Sequence, residues 1–210
     1  MERVRIKICG ITRPEDAISA AQAGVDAIGL VFYEKSPRRV DAVTAMAIIK
    51  SLPPFICKVG LFVDADADTV LAILREVPLD LLQFHGNEPS GYCRGFGKPY
   101  LKAVRMRAGL DIGEVEKNHH EAVALLLDTH VVDSAGGTGQ TFAWELIPMG
   151  LRKPVILAGG LDAGNVGKAI RQAHPYAVDV SSGVESAKGI KDMRKIAAFV
   201  RAVGDASLPA

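Results

Sequence analysis

The sequence has few cysteines, few aromatic residues and almost no net charge. Its 210 residues include three cysteines, 6% aromatic residues and a formal net charge of +1. Cys9, Cys57 and Cys93 are scattered and odd in number, which argues against a disulfide framework and is typical of a reducing cytosol. A net charge this close to zero gives no sign of general nucleic-acid binding. We therefore expect a cytoplasmic protein with no nucleic-acid partner.

Long hydrophobic runs and clustered metal ligands are also missing. No apolar run is long enough to span a membrane, and charged residues follow Met1 where a signal peptide would have its apolar core. The adjacent His119 and His120 have poor spacing for holding one metal ion on a helix. We predict no membrane segment, no signal peptide and no metal site.

The sequence does contain a regular alternation of short apolar runs and helical segments. The apolar runs begin roughly 20–30 residues apart, the length of one strand–helix unit. They predict eight strands: Val4–Cys9, Ala27–Phe32, Ile56–Phe62, Leu79–His85, Tyr100–Val104, Ala122–Asp128, Pro154–Ala158 and Ala177–Ser181. Strands that are apolar on both faces indicate a buried parallel sheet, either open and doubly wound or closed. Eight units favour a single-domain (β/α)8 TIM barrel over residues 1–204, with a frayed tail at 205–210.

The helical segments between the strands carry recognisable start and stop signals. Thr12 is the expected N-cap of the first helix, and Pro14 is its expected first residue. The predicted helices are Pro14–Ala23, Ala42–Leu52, Ala67–Val77, Pro89–Phe96, Asp111–His119, Phe142–Met149, Gly164–Ala173 and Asp192–Val203. The glycine-rich connection Thr129–Thr141 is long for a compact domain and predicts a mobile lid. It is not a nucleotide-binding P-loop, because Gln140 stands where that motif requires lysine.

Polar and reactive residues are concentrated at the carboxyl ends of the strands, where ligands bind in both architectures. Cys9 ends the first strand and is either a small buried apolar residue or a thiol whose pKa the following helix lowers. Asp128 ends the sixth strand after Leu125, Leu126 and Leu127 and is either a proton donor or a turn cap or ion-pair partner. Facing each other across a substrate, the two would be suited to moving protons between two atoms.

Glycines close the last two strands, where barrels of this kind commonly bind phosphate. The predicted phosphate-binding residues are Gly159, Gly160, Ser182 and Gly183, with a short helix at residues 183–187. The alternative is that they are ordinary turn residues. Two glycine-containing ends at the two expected strands favour phosphate.

Five further residues predict substrate contacts or internal pairing. Arg38, after the second strand, could form a bidentate pair with a substrate carboxylate or lie solvated on the surface. Gln83 and His85 share one face of the fourth strand, and His85 is either a hydrogen bonder in the site or a satisfied strand-end histidine. Asp179 is also expected at the substrate site. We predict that it pairs with Lys7, because each would otherwise be an unpaired buried charge.

Several of these segments together resemble the phosphoribosylanthranilate isomerase family. In chain order they are Lys7-Ile8-Cys9-Gly10-Ile11-Thr12, Gln83-Phe84-His85-Gly86, Leu127-Asp128-Thr129, Gly136-Gly137-Thr138-Gly139, Leu157-Ala158-Gly159-Gly160-Leu161 and Asp179-Val180-Ser181-Ser182-Gly183-Val184-Glu185. The likeness covers nearly the whole chain, and its opening and closing motifs together are highly specific. One departure is Gln140, where some members carry lysine, which puts a lid contact in doubt.

The resemblance implies a (β/α)8 barrel of tryptophan biosynthesis that converts N-(5-phosphoribosyl)anthranilate to 1-(2-carboxyphenylamino)-1-deoxyribulose 5-phosphate. It implies that Asp128 is the general acid, Cys9 the general base and Arg38 the ligand of the anthranilate carboxylate. It also implies phosphate binding by the two glycine-containing loops and no metal or organic cofactor. A phosphosugar is the expected partner, and the chain is expected to be a monomer or homodimer.

Two other functions fit a phosphate-binding barrel. One is a different phosphosugar-converting enzyme, such as a pentulose-phosphate epimerase or an indole-glycerol-phosphate synthase. The epimerase would want several His and Asp metal ligands, and the synthase Lys and Glu where this chain has Cys9 and Asp128. The other is a non-catalytic phosphosugar-binding barrel, which would bind its ligand without turnover.

Overall fold

Eight parallel strands close into a barrel in which each strand pairs with its neighbours in the sequence and β8 pairs with β1. This computed structural model describes residues 3–107, 109–128, 144, 147–148 and 150–207. The strands are β1 Arg5–Cys9, β2 Ala27–Val31, β3 Cys57–Phe62, β4 Leu81–Phe84, β5 Tyr100–Arg105, β6 Ala124–Asp128, β7 Val155–Ala158 and β8 Ala177–Val180. The expected (β/α)8 barrel and its eight strands are confirmed.

Within the described residues, seven α-helices surround the barrel. They are α1 Pro14–Gln22, α2 Ala42–Ser51, α3 Ala67–Glu76, α4 Ser90–Cys93, α5 Ile112–Asn118, α6 Val166–Ala173 and α7 Met193–Ser207. Asp41 and Asp66 cap α2 and α3 by accepting hydrogen bonds from backbone amides three residues on. None of the described helices is long and apolar enough to cross a membrane. The predicted lid Thr129–Thr141 lies outside the described residues, as does most of the predicted helix Phe142–Met149.

Two expectations about helix ends are wrong. Thr12 does not cap α1, which begins after Arg13 without a side-chain cap; the Thr12 hydroxyl donates instead to the carbonyl oxygen of Gly189. The tail is not frayed at residues 205–207, because α7 continues through Ser207 and buries Ala206. Residues 208–210 lie outside the described part of the chain.

The segment after β8 also differs from the prediction. A 3₁₀ turn covers Ser182–Val184, but the chain then forms a small antiparallel hairpin and not a longer helix. Its strands are β9 Glu185–Ala187 and β10 Ile190–Lys191. Gly189 turns the hairpin with a φ of 79°, a left-handed conformation that favours glycine. The hairpin carries two buried charged side chains to the mouth of the barrel.

The strands present alternate residues to the outside and to the inside of the barrel. On β1, Ile6 and Ile8 pack outward in the large cluster shared with the helices. A smaller apolar cluster, which includes Leu101, Leu126 and Ile156, lies apart from it on the alternate strand positions. Lys7 and Cys9 alternate with the outward residues of β1 and therefore face the barrel interior. The barrel is a packed core, so a substrate can reach only the rim at the strand ends.

Candidate active site

Cys9 lies at the carboxyl end of β1 in a space that a neighbouring glycine leaves open. Gly29 of β2 is its register partner, and a Cβ at Gly29 would lie 2.9 Å from Cys9 Sγ and 3.1 Å from Lys7 Nζ. Any larger residue at this position would therefore displace the thiol or the ammonium group. The thiol and the ammonium group consequently lie beside each other at the rim.

Lys7 and Asp179 form a buried ion pair one layer below Cys9. Lys7 Nζ lies 2.9 Å from Asp179 Oδ1, and the two side chains are 5% and 7% exposed. The two residues are register partners on the adjacent strands β1 and β8. Burial by itself would lower the pKa of Lys7, but the charges of Asp179 and Cys9 raise it above its ordinary value. The predicted pairing is confirmed, and it places a fixed positive charge under the thiol.

The pKa of the Cys9 thiol is raised, contrary to the expectation from the sequence. Burial is the largest cause, and it outweighs the opposing effect of the positive charges of Lys7 and Lys191. The prediction of a lowered pKa is therefore wrong, because the side chain is almost wholly removed from water.

Asp128, at the end of β6, is connected to a hydrogen-bonded pair on β4. His85 Nε2 lies 3.2 Å from Asp128 Oδ2, and Gln83 Nε2 lies 2.9 Å from His85 Nδ1. Because the Gln83 amide nitrogen donates, His85 Nδ1 accepts and Nε2 carries the hydrogen. Gln83 is fully buried. The structure thus brings Gln83 and His85 together with Asp128, the predicted acid. The hydrogen bond from His85 restrains the rotation of the Asp128 carboxyl group.

Arg38 lies at the rim beside Cys9 and is held by a carboxylate that the sequence analysis did not single out. The stem of Arg38 passes over Gly10, where any Cβ would clash with it. Arg38 Nε and Nη2 donate to Glu185 Oε1 and Oε2 at 2.6 and 2.8 Å. Glu185 also accepts from Lys191 Nζ at 2.9 Å. Burial opposes ionisation of Glu185, but Arg38 and Lys191 hold its pKa below the usual range.

Glu185 and Lys191 could not be assigned to the site from sequence patterns. Glu185 ends one of the motifs quoted above, but spacing alone does not show that a hairpin carries it to Arg38. The one available signal is the place of Glu185 at the end of that motif.

The two predicted phosphate loops touch each other. Gly159 and Gly160 follow β7 with φ values of 93° and 64°, so both adopt left-handed conformations. A Cβ at Gly183, after β8, would clash with the carbonyl oxygen of Leu161. The amides of Ser182 and Gly183 open the 3₁₀ turn, where backbone N–H groups lack intrahelical partners. The arrangement offers backbone donors at the point where β7 and β8 end.

Asp128, Cys9 and these loops occupy one arc of the rim. In the closed barrel, β7 and β8 separate β6 from β1. Asp128 and Cys9 therefore flank the two glycine-containing loops. A family model for N-(5'-phosphoribosyl)anthranilate isomerase matches residues 6–202. The chain belongs to the N-(5'-phosphoribosyl)anthranilate isomerase family.

Individual members of the N-(5'-phosphoribosyl)anthranilate isomerase family match over nearly their whole length. The Pseudomonas putida (strain W619) isomerase is 58% identical over 206 residues, which are 98% of this chain and 100% of the relative. The crystal structure of the Thermotoga maritima isomerase has a TM-score of 0.88 and 40% identity, covering 96% of this chain and 99% of that one. The expectation of an isomerase of tryptophan biosynthesis is confirmed.

Two further structures of the isomerase family bear on ligand and assembly. One, with a TM-score of 0.84 and 39% identity, holds reduced 1-(o-carboxyphenylamino)-1-deoxyribulose 5-phosphate and covers 96% of this chain and 99% of that one. The other is a set of monomers generated from the dimeric Thermotoga maritima isomerase, with a TM-score of 0.83 and 35% identity over 96% of this chain and 98% of that one. The expected kind of ligand, a phosphosugar, is thus the kind bound by a close structural neighbour.

Proposed function

We propose that the chain converts N-(5-phosphoribosyl)anthranilate to 1-(2-carboxyphenylamino)-1-deoxyribulose 5-phosphate, with Asp128 as general acid and Cys9 as general base. The observation that carries this proposal is the arc of the barrel rim on which Asp128 and Cys9 flank the loops after β7 and β8. A phosphate held by those loops would anchor one end of the sugar. The acid and the base would then lie on either side of its reacting carbons.

The chemistry requires one proton to be given and one to be taken. Protonated Asp128 donates to the furanose ring oxygen, the bond from that oxygen to C1 breaks, and the nitrogen lone pair forms a Schiff base. Cys9, as the thiolate, takes the proton from C2, and the electrons of that bond form the enolamine. Tautomerisation of the enolamine gives the ketone, so the substrate has gained one proton from Asp128 and lost one to Cys9. Release of the Cys9 proton to solvent and uptake of a proton by Asp128 restore both groups. Lys7 stabilises the thiolate while it exists.

Substrate binding is assigned to the two anionic ends of the molecule. Arg38 pairs with the anthranilate carboxylate, since a guanidinium and a carboxylate match in bidentate geometry. The backbone amides of Gly159, Gly160, Ser182 and Gly183 bind the phosphate. Gln83 and His85, first predicted as substrate contacts, act on Asp128, and Asp179 acts through Lys7. All of these roles use only groups of this chain and need no metal or organic cofactor.

The decisive experiment is a fluorescence assay of freshly prepared N-(5-phosphoribosyl)anthranilate with the purified chain. We expect turnover by the wild type, and a loss of at least about 10²-fold in kcat for Cys9→Ala and for Asp128→Asn. Both variants should keep their fold and their affinity for reduced 1-(2-carboxyphenylamino)-1-deoxyribulose 5-phosphate. Near-wild-type turnover in either variant contradicts the acid–base assignment, and ligand binding without wild-type turnover indicates a non-catalytic phosphosugar-binding barrel.

We also infer a cytosolic enzyme that works as a monomer or homodimer. The three cysteines are free, as expected in a reducing compartment. The fully exposed Phe55, on the loop between α2 and β3, offers an apolar group for self-association. Light scattering coupled to size-exclusion chromatography distinguishes the two assembly states.

A further inference from the structure

Arg38 is the only proposed substrate ligand whose side chain is already engaged by another charged group. Glu185 accepts from Nε and Nη2, which is the side-on edge of the guanidinium. A guanidinium has a second bidentate edge, formed by Nη1 and the remaining hydrogen of Nη2. Within the described residues nothing accepts from Nη1, and the Arg38 side chain is 23% exposed. The end-on edge thus remains available for a second carboxylate.

A simple Arg–Glu pair would be neutral and would attract a substrate anion poorly. Lys191 changes this balance. Its ammonium group is fully buried and reaches three acceptors: Glu185 Oε1 at 2.9 Å, the Ser181 carbonyl oxygen at 3.1 Å and Ser181 Oγ at 3.4 Å. Three acceptors match the three hydrogens of a charged ammonium group. Two cations and one anion leave the cluster with one positive charge beside the rim.

Three elements fix the position of this cluster. The hairpin β9–β10 carries Glu185 and Lys191, and the backbone amide of Lys191 donates to Asp16 of α1 at 3.0 Å. At the turn, the Gly189 amide lies 3.3 Å from Glu185 Oε1. A Cβ at Gly189 would lie 3.3 Å from the carbonyl oxygen of Pro37, the residue before Arg38. The hairpin is therefore packed directly against the segment that carries the arginine.

We propose that Glu185 and Lys191 are positioning residues that present the end-on edge of Arg38, with net positive charge, to the aromatic carboxylate of the substrate. Glu185 fixes the plane of the guanidinium, so little side-chain freedom is lost on binding. Lys191 balances the charge of Glu185, so the attraction for the substrate remains. This inference rests on the proposed role of Arg38 and adds two residues that determine selectivity for a carboxylate-bearing substrate.

The test compares N-(5-phosphoribosyl)anthranilate with N-(5-phosphoribosyl)aniline, which lacks the carboxylate. The ratio of the two kcat/KM values reports the carboxylate contact. In Glu185→Gln, which keeps the side-chain shape but removes the charge, we expect this ratio to fall about 10-fold, mainly through the KM for the anthranilate compound. Glu185→Asp keeps the charge but retracts it from Arg38. Glu185→Asp should therefore also lower the ratio. This variant replaces Glu185→Gln in the test if Glu185→Gln does not fold.

Lys191→Met tests the balance of charge separately. It leaves the contact between Glu185 and Arg38 in place but makes the cluster neutral, so the ratio of the two kcat/KM values should again fall. Loss of the Lys191 charge near Cys9 affects the turnover of both compounds alike and therefore cancels in the ratio. Glu88→Gln is the matched control. Glu88 is equally buried and pairs with Lys102 at 2.8 Å, but it does not contact Arg38. Its substitution should leave the ratio unchanged.

A double variant decides whether Glu185 acts through Arg38. The ratio for Arg38→Ala/Glu185→Gln should equal that for Arg38→Ala alone, because the positioned group is gone. Independent, multiplying losses overturn the inference, as does an unchanged ratio in both Glu185 variants. An unchanged ratio in Arg38→Ala itself overturns the proposed role of Arg38 and this inference with it. That pattern is distinguishable from one in which only the Glu185 and Lys191 variants have no effect.

Discussion

His85 Nε2 lies 3.2 Å from Asp128 Oδ2, which joins the ends of β4 and β6 across the top of β5. The contact restrains the Asp128 carboxyl group from the side opposite to β7 and the loop that follows it. His85 is itself held by Gln83 at 2.9 Å. The geometry favours a role in orienting the acid over direct contact with substrate.

Replacing His85 by alanine should lower kcat by about 10²-fold and change KM little, because a misplaced acid affects the transition state more than binding. Gln83→Leu should lower kcat less, because His85 stays in place. Only the hydrogen bond that keeps the His85 hydrogen on Nε2 is lost. The measurement is steady-state kinetics of both variants. An unchanged kcat with a raised KM contradicts this role and supports substrate binding, the role first expected from the sequence.

The raised pKa of Cys9 predicts a particular pH dependence. Only the thiolate can accept the C2 proton, and the fraction of thiolate increases as the pH approaches the pKa from below. Because burial moves this pKa upward, kcat/KM and the rate of Cys9 alkylation should still be rising with pH above the ordinary pKa of a thiol. Peptide-resolved iodoacetamide labelling across a pH series measures the second quantity.

Cys57 and Cys93 serve as internal controls for the labelling. Cys57 begins β3 at the end of the barrel opposite to the site, and burial raises the pKa of Cys93 to about 11. Reduced 1-(2-carboxyphenylamino)-1-deoxyribulose 5-phosphate should protect Cys9 but not Cys57. A Cys9 rate that levels off below the ordinary thiol pKa contradicts the raised value.

The barrel could be predicted because its signals are local and repeated. Each strand is a short apolar run, and each is followed by its own helical segment, so an error at one helix end did not spread to the next unit. The pair Lys7–Asp179 could be predicted for the same reason, since closure makes β1 and β8 neighbours. The positions of Cys9 and Asp128 at the ends of β1 and β6 could be predicted from the same apolar runs.

Three properties could not be predicted because they depend on contacts distant in the sequence. The Arg38–Glu185 pair joins residues 147 positions apart through a hairpin that the pattern did not show. Thr12 has the side chain of a helix cap, but Gly189 offers it a different partner. The pKa of Cys9 is raised by burial among residues from several strands, whereas the nearby helix N-terminus had predicted a lowered pKa.

The buried pair Lys7–Asp179 predicts a non-additive effect on stability. Lys7→Met should lower the free energy of unfolding by about 3–5 kcal/mol, because it leaves an uncompensated carboxylate in the barrel interior. The double variant Lys7→Met/Asp179→Leu should recover much of that loss. Urea unfolding of the two single variants and the double variant completes the cycle. Additive losses contradict a direct pairing.

Glycine substitutions test whether the loop after β8 binds the phosphate. An alanine at Gly183 would clash with the carbonyl oxygen of Leu161, which belongs to backbone and cannot move aside cheaply. Gly183→Ala should therefore displace the loop after β8, raise KM at least several-fold and lower the free energy of unfolding by about 1–3 kcal/mol. Inorganic phosphate should also become a weaker competitive inhibitor.

Gly204→Ala is the control, because Gly204 lies in α7 with open space around it. It should raise stability by about 0.5–1 kcal/mol and leave KM unchanged, since alanine favours the helix. Equal KM values for wild type and Gly183→Ala contradict the assignment of phosphate to this loop.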